Sequence, residues 1–587
     1  MCGISGYIGI NNNAIKVIID GLEALEYRGY DSAGIAYINE NKINIIKEKG
    51  KIINLKNNLN LKIKSNLAIG HTRWATHGVP NKINSHPHSI GKFTIVHNGI
   101  IENYIELKKE LINNGYNFKS STDTEIAVGY IDYIYKKEKN ILKTLNKVTK
   151  IFRGSYAIGI ICEDDLNSLY AIKKTSPLII AKGNNENYIV SDITAVLKYT
   201  NKYILLDDLE IAKITSNNIE IYNNSLALIN KKTLKFDGSY ESSIKNGFKH
   251  FMLKEIHEEP DVFKNTMNYY LDDNFKNIPE LSKYNNIHIV ACGSAYHAGL
   301  IGKYLIEKYV NIPVYVEVAS EYRYKNNFYD KKTLVIFVSQ SGETADTLAS
   351  LRKVKEDGID TLSIVNVVGS SIARESKYVM YTKAGCEIAV ATTKAYLAQI
   401  AVFSCITMYL INNKTLLKEI ENLPTLINAL INIDYKKIAK KIYKNNNIFF
   451  IGRGIDYSLC MEGSLKLKEI SYINSVAYQA GELKHGTISL IEKNTPVIAI
   501  STDNKLTEKT ISNIKEVKAR GAKVIFITNQ NIESDFYDIK INIPKVNDML
   551  QSILTVIPLQ LIAYEVARLK KCDIDKPRNL AKSVTVE

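Results

Sequence analysis

The stretch Ile287-His288-Ile289-Val290-Ala291-Cys292-Gly293-Ser294 is an apolar run that ends in a glycine and leads into a helix-like segment. The apolar run at residues 448–451 leads into Gly452 and a second helix-like segment in the same manner. Continuous apolar strands that alternate with helices are typical of parallel sheets covered on both faces. The pattern therefore predicts an α/β doubly wound fold with parallel sheets.

Further strands correspond between these two parts of the chain. One pair ends at Ser339 and Ser501, which lie 46 and 49 residues after Gly293 and Gly452. A third pair of apolar strands, at residues 362–365 and 524–527, continues the same order. The repeat predicts a duplicated α/β domain, and ligands of such sheets bind beyond the carboxyl ends of the strands. We expect the two halves at residues 251–435 and 436–577.

The chain before residue 236 has a different pattern. Its apolar strands are short and closely spaced, and helix-like stretches at residues 103–114 and 123–136 interrupt them. This mixture predicts an α+β layered domain over residues 2–235. Residues 236–250 are polar and rich in Gly and Ser, which is typical of a linker. Residues 578–587 follow the second half as a short C-terminal tail.

The composition argues against several classes of protein. Of the 587 residues, 45% are hydrophobic and 23% are charged, which is typical of a folded, soluble chain. The formal charge of +15 rests on 66 Lys and only 10 Arg. Because the Lys are scattered and Arg is the better ligand for phosphates and bases, we expect no nucleic-acid partner.

The cysteines and the apolar runs indicate the compartment. Seven Cys without any C-x-x-C pair favour a reducing environment over a disulfide framework or a zinc ribbon. No secretory signal pattern is visible, so a cytoplasmic location is expected. The longest uncharged run, residues 395–413, contains Gln399, Ser404 and Thr407. Those polar side chains favour a buried helix over a membrane span, and no membrane partner is expected.

Cys2 is the first candidate for chemistry. Removal of Met1 would leave a cysteine whose α-amine lies next to its own thiol. An α-amine titrates near pH 8 and can serve as the base for an adjacent nucleophile. Taken alone, Cys2 is better explained as a small residue after the initiator methionine.

Four further polar segments favour a functional role for Cys2. They lie at residues 27–34, 71–78, 97–99 and 121–125. Trp74 is the single tryptophan of the chain, and five of the ten histidines lie between His71 and His97. Those histidines match no helical H-x-x-x-H pair and have no cysteine nearby, so no metal site is expected.

Cys2-Gly3-Ile4 and these four segments resemble the glutamine amidotransferases of the N-terminal nucleophile class. The resemblance implies hydrolysis of glutamine to glutamate and ammonia through a thioester on Cys2. It implies that Arg73 holds the substrate α-carboxylate as a bidentate clamp and that Asp123 binds the α-ammonium. Arg28 is implied to be structural or gating.

The same resemblance assigns the rest of the glutamine site. Asn98, through its side chain, and Gly99, through its backbone N–H, are implied to form the oxyanion hole, where developing charge needs donors. Thr76 and His77 are implied to line the pocket. Trp74 is implied to lie on a mobile loop that closes the pocket, and we take it as the candidate gate for ammonia.

The segment Ser339-Gln340-Ser341-Gly342-Glu343-Thr344 follows a predicted buried strand and opens a helix. Hydroxyl groups together with unsatisfied N–H groups at a helix N-terminus suit a monophosphate. An ordinary Ser/Thr N-cap is the alternative interpretation. Cys292-Gly293-Ser294-Ala295 and Ala391-Thr392-Thr393 add hydroxyl groups at comparable positions.

A predicted helix places Glu462, Lys466 and Glu469 on one face through their spacing of three and four residues. A solvated ion-pair face is the alternative interpretation. His485 is flanked by glycines and follows no apolar period, which makes it a candidate acid or base.

These segments, together with the tail from Lys576 to Glu587, resemble the tandem sugar isomerase (SIS) domains of the isomerizing, glutamine-dependent sugar-phosphate aminotransferases. The resemblance covers essentially the whole chain. It implies conversion of fructose 6-phosphate and glutamine to glucosamine 6-phosphate and glutamate, without a cofactor and in a homodimer. The residues implied to hold the phosphate and the sugar are Ser294, Ser339, Gln340, Ser341, Thr344 and Thr392.

The resemblance also implies the roles of the charged residues. Glu469 would move the proton between C1 and C2, and His485 would assist ring opening. Lys582 would form a Schiff base with the open-chain ketose, with Lys466 and Glu462 nearby. A Schiff-base amine must be unprotonated to attack.

This sequence departs from the pattern of that family at two positions. The usual Cys-Gly-Thr-Ser is Cys-Gly-Ser-Ala here, so Ala295 lacks the expected hydroxyl. The usual Ser after Val-Ala is Thr392, which keeps its hydroxyl. Two other functions stay open at this point: an amidotransferase with another acceptor, and a sensor that only binds sugar phosphate.

Overall fold

The computed structural model describes residues 2–74, 78–236, 244–412 and 415–585, without the side chains of residues 273 and 274. The chain divides into two compact units. The N-terminal unit extends to Ile244 and includes the segment from Ala581 onward, and the second unit is Lys245–Leu580.

Two antiparallel sheets form the centre of the N-terminal unit. The first has eight strands in the order β15-β11-β9-β10-β1-β4-β2-β3, and the second has seven in the order β14-β13-β12-β8-β7-β6-β5. The strands are β1 (Gly3–Gly9), β2 (Ser32–Asn39), β3 (Lys42–Lys49), β4 (Leu67–Arg73), β5 (His88–Ile90), β6 (Phe93–Ile101), β7 (Gly154–Cys162), β8 (Asp165–Lys174), β9 (Ile179–Lys182), β10 (Glu186–Val190), β11 (Lys202–Leu205), β12 (Ile211–Ile214), β13 (Ile219–Tyr222), β14 (Leu228–Ile229) and β15 (Leu234–Lys235). The helices are α1 (Ala14–Leu25), α2 (Ile52–Asn57), α3 (Tyr104–Asn113), α4 (Asp123–Glu138) and α5 (Ile141–Ile151).

The alternation of side chains along the strands stacks this unit into four layers. Ala36 of β2 and Ala157 of β7 belong to one core between the two sheets. Ile35, the neighbour of Ala36, points to the other side of the first sheet and packs with α1. Ile158, next to Ala157, packs with helices α3 to α5 on the far side of the second sheet. The order helix, sheet, sheet, helix confirms the predicted α+β layered domain.

The second unit contains two five-stranded parallel sheets with the same strand order, β17-β16-β18-β19-β20 and β22-β21-β23-β24-β25. The strands are β16 (Asn286–Ala291), β17 (Val314–Val318), β18 (Thr333–Ser339), β19 (Asp360–Val365), β20 (Tyr378–Tyr381), β21 (Asn447–Gly452), β22 (Asn474–Gln479), β23 (Pro496–Ser501), β24 (Lys523–Thr528) and β25 (Ile539–Asn542). The helices are α6 (Phe251–His257), α7 (Glu259–Leu271), α8 (Ser294–Val310), α9 (Ala319–Tyr322), α10 (Ala345–Glu356), α11 (Ser371–Glu375), α12 (Lys394–Leu410), α13 (Leu417–Ile431), α14 (Lys436–Ile442), α15 (Ile455–Ser471), α16 (Thr507–Lys518) and α17 (Asp548–Leu569). The parallel pairing confirms the α/β doubly wound prediction.

The two halves of this unit match residue by residue near their first strands. β16 and β21 have the same length and begin 161 residues apart, and so do the 17-residue helices α8 and α15. The residues before these helices are Gly293, with φ 56°, and Gly454, with φ 58°. The counterpart of Gly293 is therefore Gly454, and the pairing with Gly452 was wrong because Gly452 completes β21. Counted from Gly454, the spacing to Ser501 is 47 residues, against 46 in the first half.

The apolar run at residues 395–413 lies in α12, which is buried along nearly its whole length, as predicted for a core helix. Among the described residues, α17 is the one helix long and apolar enough to cross a membrane. Of its most apolar window, 94% is buried inside the fold, as in the core helix of a soluble domain.

Close packing of α8 on α12 supplies a test of the core. An added Cβ at Gly302 would lie 2.5 Å from the ring of Phe403, which is fully buried. We expect Gly302→Val to lower the free energy of unfolding of this unit by roughly 2 kcal/mol through overpacking. The shift of the urea midpoint, followed by circular dichroism, measures the effect. Lys303→Val on the same helix is the control, and an equal shift in both variants would contradict the proposed contact.

Candidate active sites

Strand pairing places Cys2 beside the end of β4. Gly3 pairs with Thr72, so Cys2 lies next to Arg73 and Trp74. The Trp74 N–H donates to Cys2 Sγ at 3.3 Å, and Cys2 Sγ lies 3.4 Å from the Trp74 carbonyl oxygen. Burial raises the pKa of the Cys2 thiol, while the Trp74 hydrogen bond and the Arg73 charge act in the opposite direction. The thiol is therefore held in place but needs a base to become a thiolate.

Asn98 joins Cys2 from β6 of the second sheet. Asn98 Nδ2 donates to the Cys2 carbonyl oxygen at 3.0 Å, and His71 Nε2 lies 3.0 Å from Asn98 Oδ1. A carbonyl oxygen only accepts, so His71 carries its proton on Nε2 and fixes the orientation of the amide. Burial lowers the pKa of His71 to about 3, so its ring is neutral. The donor end of Asn98 thus faces Cys2.

Gly99 follows Asn98 with a φ of 108°, a conformation that favours glycine. A Cβ at this position would lie 2.0 Å from the Ser155 carbonyl oxygen. Both constraints require glycine at the position for which the sequence predicts a backbone oxyanion donor.

Opposite charges flank the Cys2 region. Arg73 is buried at the end of β4, and Asp123 is buried at the first turn of α4, where it accepts the Ile101 N–H at 2.8 Å. Burial lowers the pKa of Arg73, and the Cys2 and Asp123 charges oppose that shift. A cation and an anion near one thiol suit the two charged groups of an α-amino acid.

Arg28, which was predicted to be structural or gating, is part of an ion pair. Arg28 pairs with Asp192, which also accepts the Tyr27 hydroxyl at 3.1 Å. This buried pair matches the structural alternative for Arg28. Thr76 and His77 lie outside the described residues.

Four buried histidines form a neutral scaffold that the sequence did not reveal. His71 and His86 stack with ring centroids 4.1 Å apart, and His88 and His97 lie beside His86. Thr124 of α4 contacts His97 Nδ1 at 2.9 Å and His86 Nε2 at 3.2 Å. Burial lowers the pKa of each of these rings. Within the described ranges, no group of three or more His, Cys, Asp or Glu has metal-site geometry.

In the second unit, Glu462 of α15 is the centre of a buried charge cluster. Its Oε1 accepts the Ser294 hydroxyl at 2.9 Å, and its Oε2 accepts His297 Nδ1 at 2.8 Å. Lys466 Nζ lies 3.5 Å from Glu462 and 2.5 Å from Glu469. The predicted face of Glu462, Lys466 and Glu469 exists, with Glu462 and Lys466 buried in the fold and Glu469 partly exposed. His297 was not identified from the sequence, because a histidine within a helix carries no local signal of a partner 165 residues away.

The charges in this cluster stabilise one another. Burial alone would raise the pKa of Glu462, but Lys466 and the hydrogen bonds from His297 and Ser294 lower it. Burial alone would lower the pKa of Lys466, but Glu469 and Glu462 raise it. Lys466 is therefore an ammonium and Glu462 a carboxylate at neutral pH.

The predicted phosphate loop lies between β18 and α10. Ser339 Oγ lies 2.9 Å from Thr344 Oγ1 and accepts the Gly342 N–H at 3.0 Å. Gln340 and Ser341 lie at the turn of this loop. On the neighbouring segment, the Thr392 hydroxyl donates to Glu387 at 3.1 Å. Gly293, the loop and Thr392 all follow strands or begin helices at the carboxyl edge of the sheet.

His485 makes no contact with the Glu462 cluster in the part of the chain that the structure describes. His485 is exposed on a short 3₁₀ turn, and no hydrogen bond or ion pair joins it to Lys466 or Glu469 in the described chain. Lys582 lies in the segment that belongs to the N-terminal unit. Their roles at the sugar site stay predictions.

Comparison with known proteins supports the two-part organisation. The glutamine amidotransferase domain model matches residues 71–198, and the SIS domain model matches residues 280–409 and 441–570. A glutamine–fructose-6-phosphate aminotransferase (isomerizing) of Clostridium tetani is 48% identical, with full coverage of both chains. The chain belongs to the glutamine–fructose-6-phosphate aminotransferase family. A relative of the same name from Aquifex aeolicus is 44% identical, also over both full lengths.

A solved structure supports the same assignment for the second unit. The C-terminal domain of a glucosamine-fructose-6-phosphate aminotransferase from Francisella tularensis is 40% identical. It matches with a TM-score of 0.54 and covers 57% of this chain and 99% of that one. In this aminotransferase family member, Glu462, Lys466 and Glu469 fall within the second matched SIS range, whereas Cys2 and Lys582 lie outside all matched ranges.

The Asn98 geometry predicts a specific loss of glutamine hydrolysis. Asn98→Ala removes the side-chain donor next to Cys2, and loss of one oxyanion donor lowers kcat by about 10²- to 10³-fold. We expect such a decrease in glutamate release, with KM for glutamine little changed. Asn187→Ala is the control, because Asn187 is a buried amide of the same unit that donates to Thr215 instead. More than a third of the wild-type kcat in Asn98→Ala would contradict the role.

Proposed function

We propose that this chain converts fructose 6-phosphate and glutamine to glucosamine 6-phosphate and glutamate, as the name of its family describes. Cys2 attacks the glutamine amide and releases ammonia, and the SIS unit aminates and isomerises the sugar phosphate. The reaction is the first step of amino-sugar synthesis.

The observation that supports this proposal is a carboxylate bound within the second SIS half. The Asp456 carboxylate accepts the Thr502 N–H at 2.8 Å, the Asp503 N–H at 3.4 Å and the Thr502 hydroxyl. Burial raises the pKa of Asp456 to about 6, so the group is ionised at neutral pH. The loop after β23 is thus an anion-binding loop whose anion is a side chain of α15.

The first half has the same loop without the internal anion. Asp456 is the second residue of α15, and the second residue of α8 is Ala295. Thr502 and Asp503 directly follow Ser501, as Gln340 and Ser341 directly follow Ser339. Because Ala295 supplies no carboxylate, this loop has a place for an external anion, and the phosphate of fructose 6-phosphate fits it. Ala295 thereby leaves space that a larger side chain would fill.

The chemistry at the sugar uses charged residues of α15 together with His485. Glu469 moves the proton between C1 and C2, and His485 assists ring opening. Lys466 is held as an ammonium by two carboxylates, so it is unsuited to Schiff-base formation. That restriction supports Lys582 as the amine that forms the Schiff base with the ketose.

The glutamine half uses the α-amine of Cys2 as its base once Met1 is removed, and the thioester forms on Cys2 Sγ. Arg73 and Asp123 hold the substrate, together with Thr76 and His77. Trp74 gates the passage of ammonia to the sugar site. We further propose that the protein is a cytoplasmic homodimer that needs no cofactor and has no nucleic-acid or membrane partner.

The two half-reactions predict separable variants. Cys2→Ala should abolish glutamate release and leave isomerisation of fructose 6-phosphate intact, because the thiol acts only on glutamine. Lys582→Arg should stop glucosamine 6-phosphate formation and retain glutamine hydrolysis, with Lys570→Arg as the matched control. Glutamate and glucosamine 6-phosphate are measured for each variant. Normal amino-sugar output from Lys582→Arg would exclude the Schiff-base role.

A carboxylate placed in the first half, at the position that corresponds to Asp456, tests whether the loop after β18 holds the phosphate. Ala295→Asp should place a carboxylate at the phosphate loop of the first half and raise KM for fructose 6-phosphate roughly 100-fold, about 2.7 kcal/mol of binding. Ala295→Ser, which is small and uncharged, should stay close to wild type. Glutamine hydrolysis reports on the other site and should be unchanged in both variants. An unaltered KM in Ala295→Asp would show that the phosphate lies elsewhere.

A further inference from the structure

A cleft lies in the second unit, and its lining does not include Glu462, Lys466 or Glu469. Tyr304, Leu305 and Lys308 of α8 form one wall of the cleft. The opposite wall comes from the start of α15 and the loop after β23. Asp548, the first residue of α17, closes one end.

This cleft is the counterpart of the sugar-phosphate site in the other half of the duplication. In the first half, Ser294 at the start of α8 contacts Glu462 of α15, on the helix turn before Lys466. In the second half, the start of α15 and the loop after β23 face α8. With the offset of 161 residues, Lys466 corresponds to Leu305 and Glu469 to Lys308. The cleft therefore occupies a position that the fold uses elsewhere for a sugar.

The substitutions at this second position remove the catalytic groups. Leu305 replaces the ammonium of Lys466, and Ile301 is the counterpart of the central carboxylate of Glu462. Leu506 stands where Thr344 supplies a hydroxyl in the first half. A ligand here meets no counterpart of the Glu462–Lys466 pair, so the position is suited to binding and not to isomerisation.

The charges of the cleft exclude a phosphate and favour a cation. Asp456 already fills the anion position of the loop, and Asp503 adds a carboxylate to the lining. Lys308 is paired with Asp548 at 2.7 Å, so the charged lining residues leave one carboxylate in excess. An ammonium group is the natural partner of such a carboxylate.

The apolar part of the lining suits a sugar ring. Tyr304, Tyr309, Leu305 and Leu506 present apolar or aromatic surface beside the polar groups. Ligand sites typically combine such surface with a few placed polar groups. A pyranose offers an apolar C–H face for the rings and hydroxyls for the polar side chains.

We propose that this cleft is a second, non-catalytic ligand site that binds an unphosphorylated amino sugar. The ammonium of the ligand pairs with Asp503, and its ring packs against Tyr304 and Leu305. This site is separate from the phosphate loop of the first half, and its interpretation as a sugar position rests on the sugar site proposed above.

Titration calorimetry of the full-length protein with glucosamine tests the proposal. Saturating fructose 6-phosphate, without glutamine, occupies the phosphate loop of the first half during the titration. We expect one glucosamine site per chain with a Kd in the millimolar range or tighter. Glucose has the same ring without the ammonium and should bind at least tenfold more weakly.

Variants locate the binding. Asp503→Asn should weaken glucosamine binding at least tenfold, because it removes the carboxylate that pairs with the ammonium. Asp535→Asn, an exposed carboxylate of the same half, is the matched control and should bind as wild type. Asp548→Asn is a second variant that should also weaken binding, because it leaves the Lys308 ammonium uncompensated.

Three results would overturn the proposal. The first is the absence of saturable heat at glucosamine concentrations up to about 50 mM, which excludes even weak specific binding. The second is equal affinity for glucose and glucosamine. The third is unchanged glucosamine affinity in both Asp503→Asn and Asp548→Asn. Normal amination by these variants would leave the family reaction intact, so failure here is distinguishable from failure of the proposed function.

Discussion

The second unit depends on the compensation of one buried charge, the carboxylate of Glu462. A buried charge is costly unless partners compensate it, and here the partners come from both halves of the duplication. Ser294 and His297 approach from α8, and Lys466 approaches from the same helix as Glu462. The cluster therefore connects the start of α8, which carries a predicted sugar contact, to the helix that carries the acid-base groups. Losing one partner would leave a charge uncompensated at the junction of the two halves.

The duplication explains how one fold produces two unlike surfaces. The helices α8 and α15 have the same length and the same glycine conformation at their start. On the inward face, α15 carries Glu462, Lys466 and Glu469, whereas α8 carries Ile301, Leu305 and Lys308 at the matching positions. The carboxylate at the start of the helix is distributed the other way: the second half has Asp456 where the first half has Ala295. These two exchanges together underlie the proposed phosphate position of the first half, opposite charged groups.

The fold could be predicted where a signal is local. Apolar runs such as the one at β16 predicted parallel strands, because both faces of such strands are buried. The spacing along α15 predicted a shared face for Glu462, Lys466 and Glu469. The matching of Gly293 with Gly452 failed, because both Gly452 and Gly454 follow the same apolar run and only backbone dihedrals separate them. Helix α1 was not identified, although Ile15, Ile18, Ile19 and Leu22 follow the helical period of three and four residues.

The remaining parts of the sites could not be predicted, because they depend on contacts between distant segments. The partners of Glu462 lie 165 and 168 residues away in the chain, and those of Asp456 lie in a loop 46 residues away. The four histidines at the glutamine site are close in sequence and suggested a metal site as an alternative. The structure places them in hydrogen bonds with Thr122, Thr124 and Asn98. Their neutrality at ordinary pH follows from burial, which depends on the completed fold.

That neutrality bears on how glutamine hydrolysis is driven. The pKa of His71 falls to about 3, and burial lowers the pKa of His86, His88 and His97 as well. None of these rings is placed to gain or lose a proton during turnover near neutral pH. Burial also raises the pKa of the Cys2 thiol, so the thiolate does not form unaided. The proton must then pass to a group that titrates near neutrality beside Cys2, and the α-amine of a processed N-terminus meets that requirement.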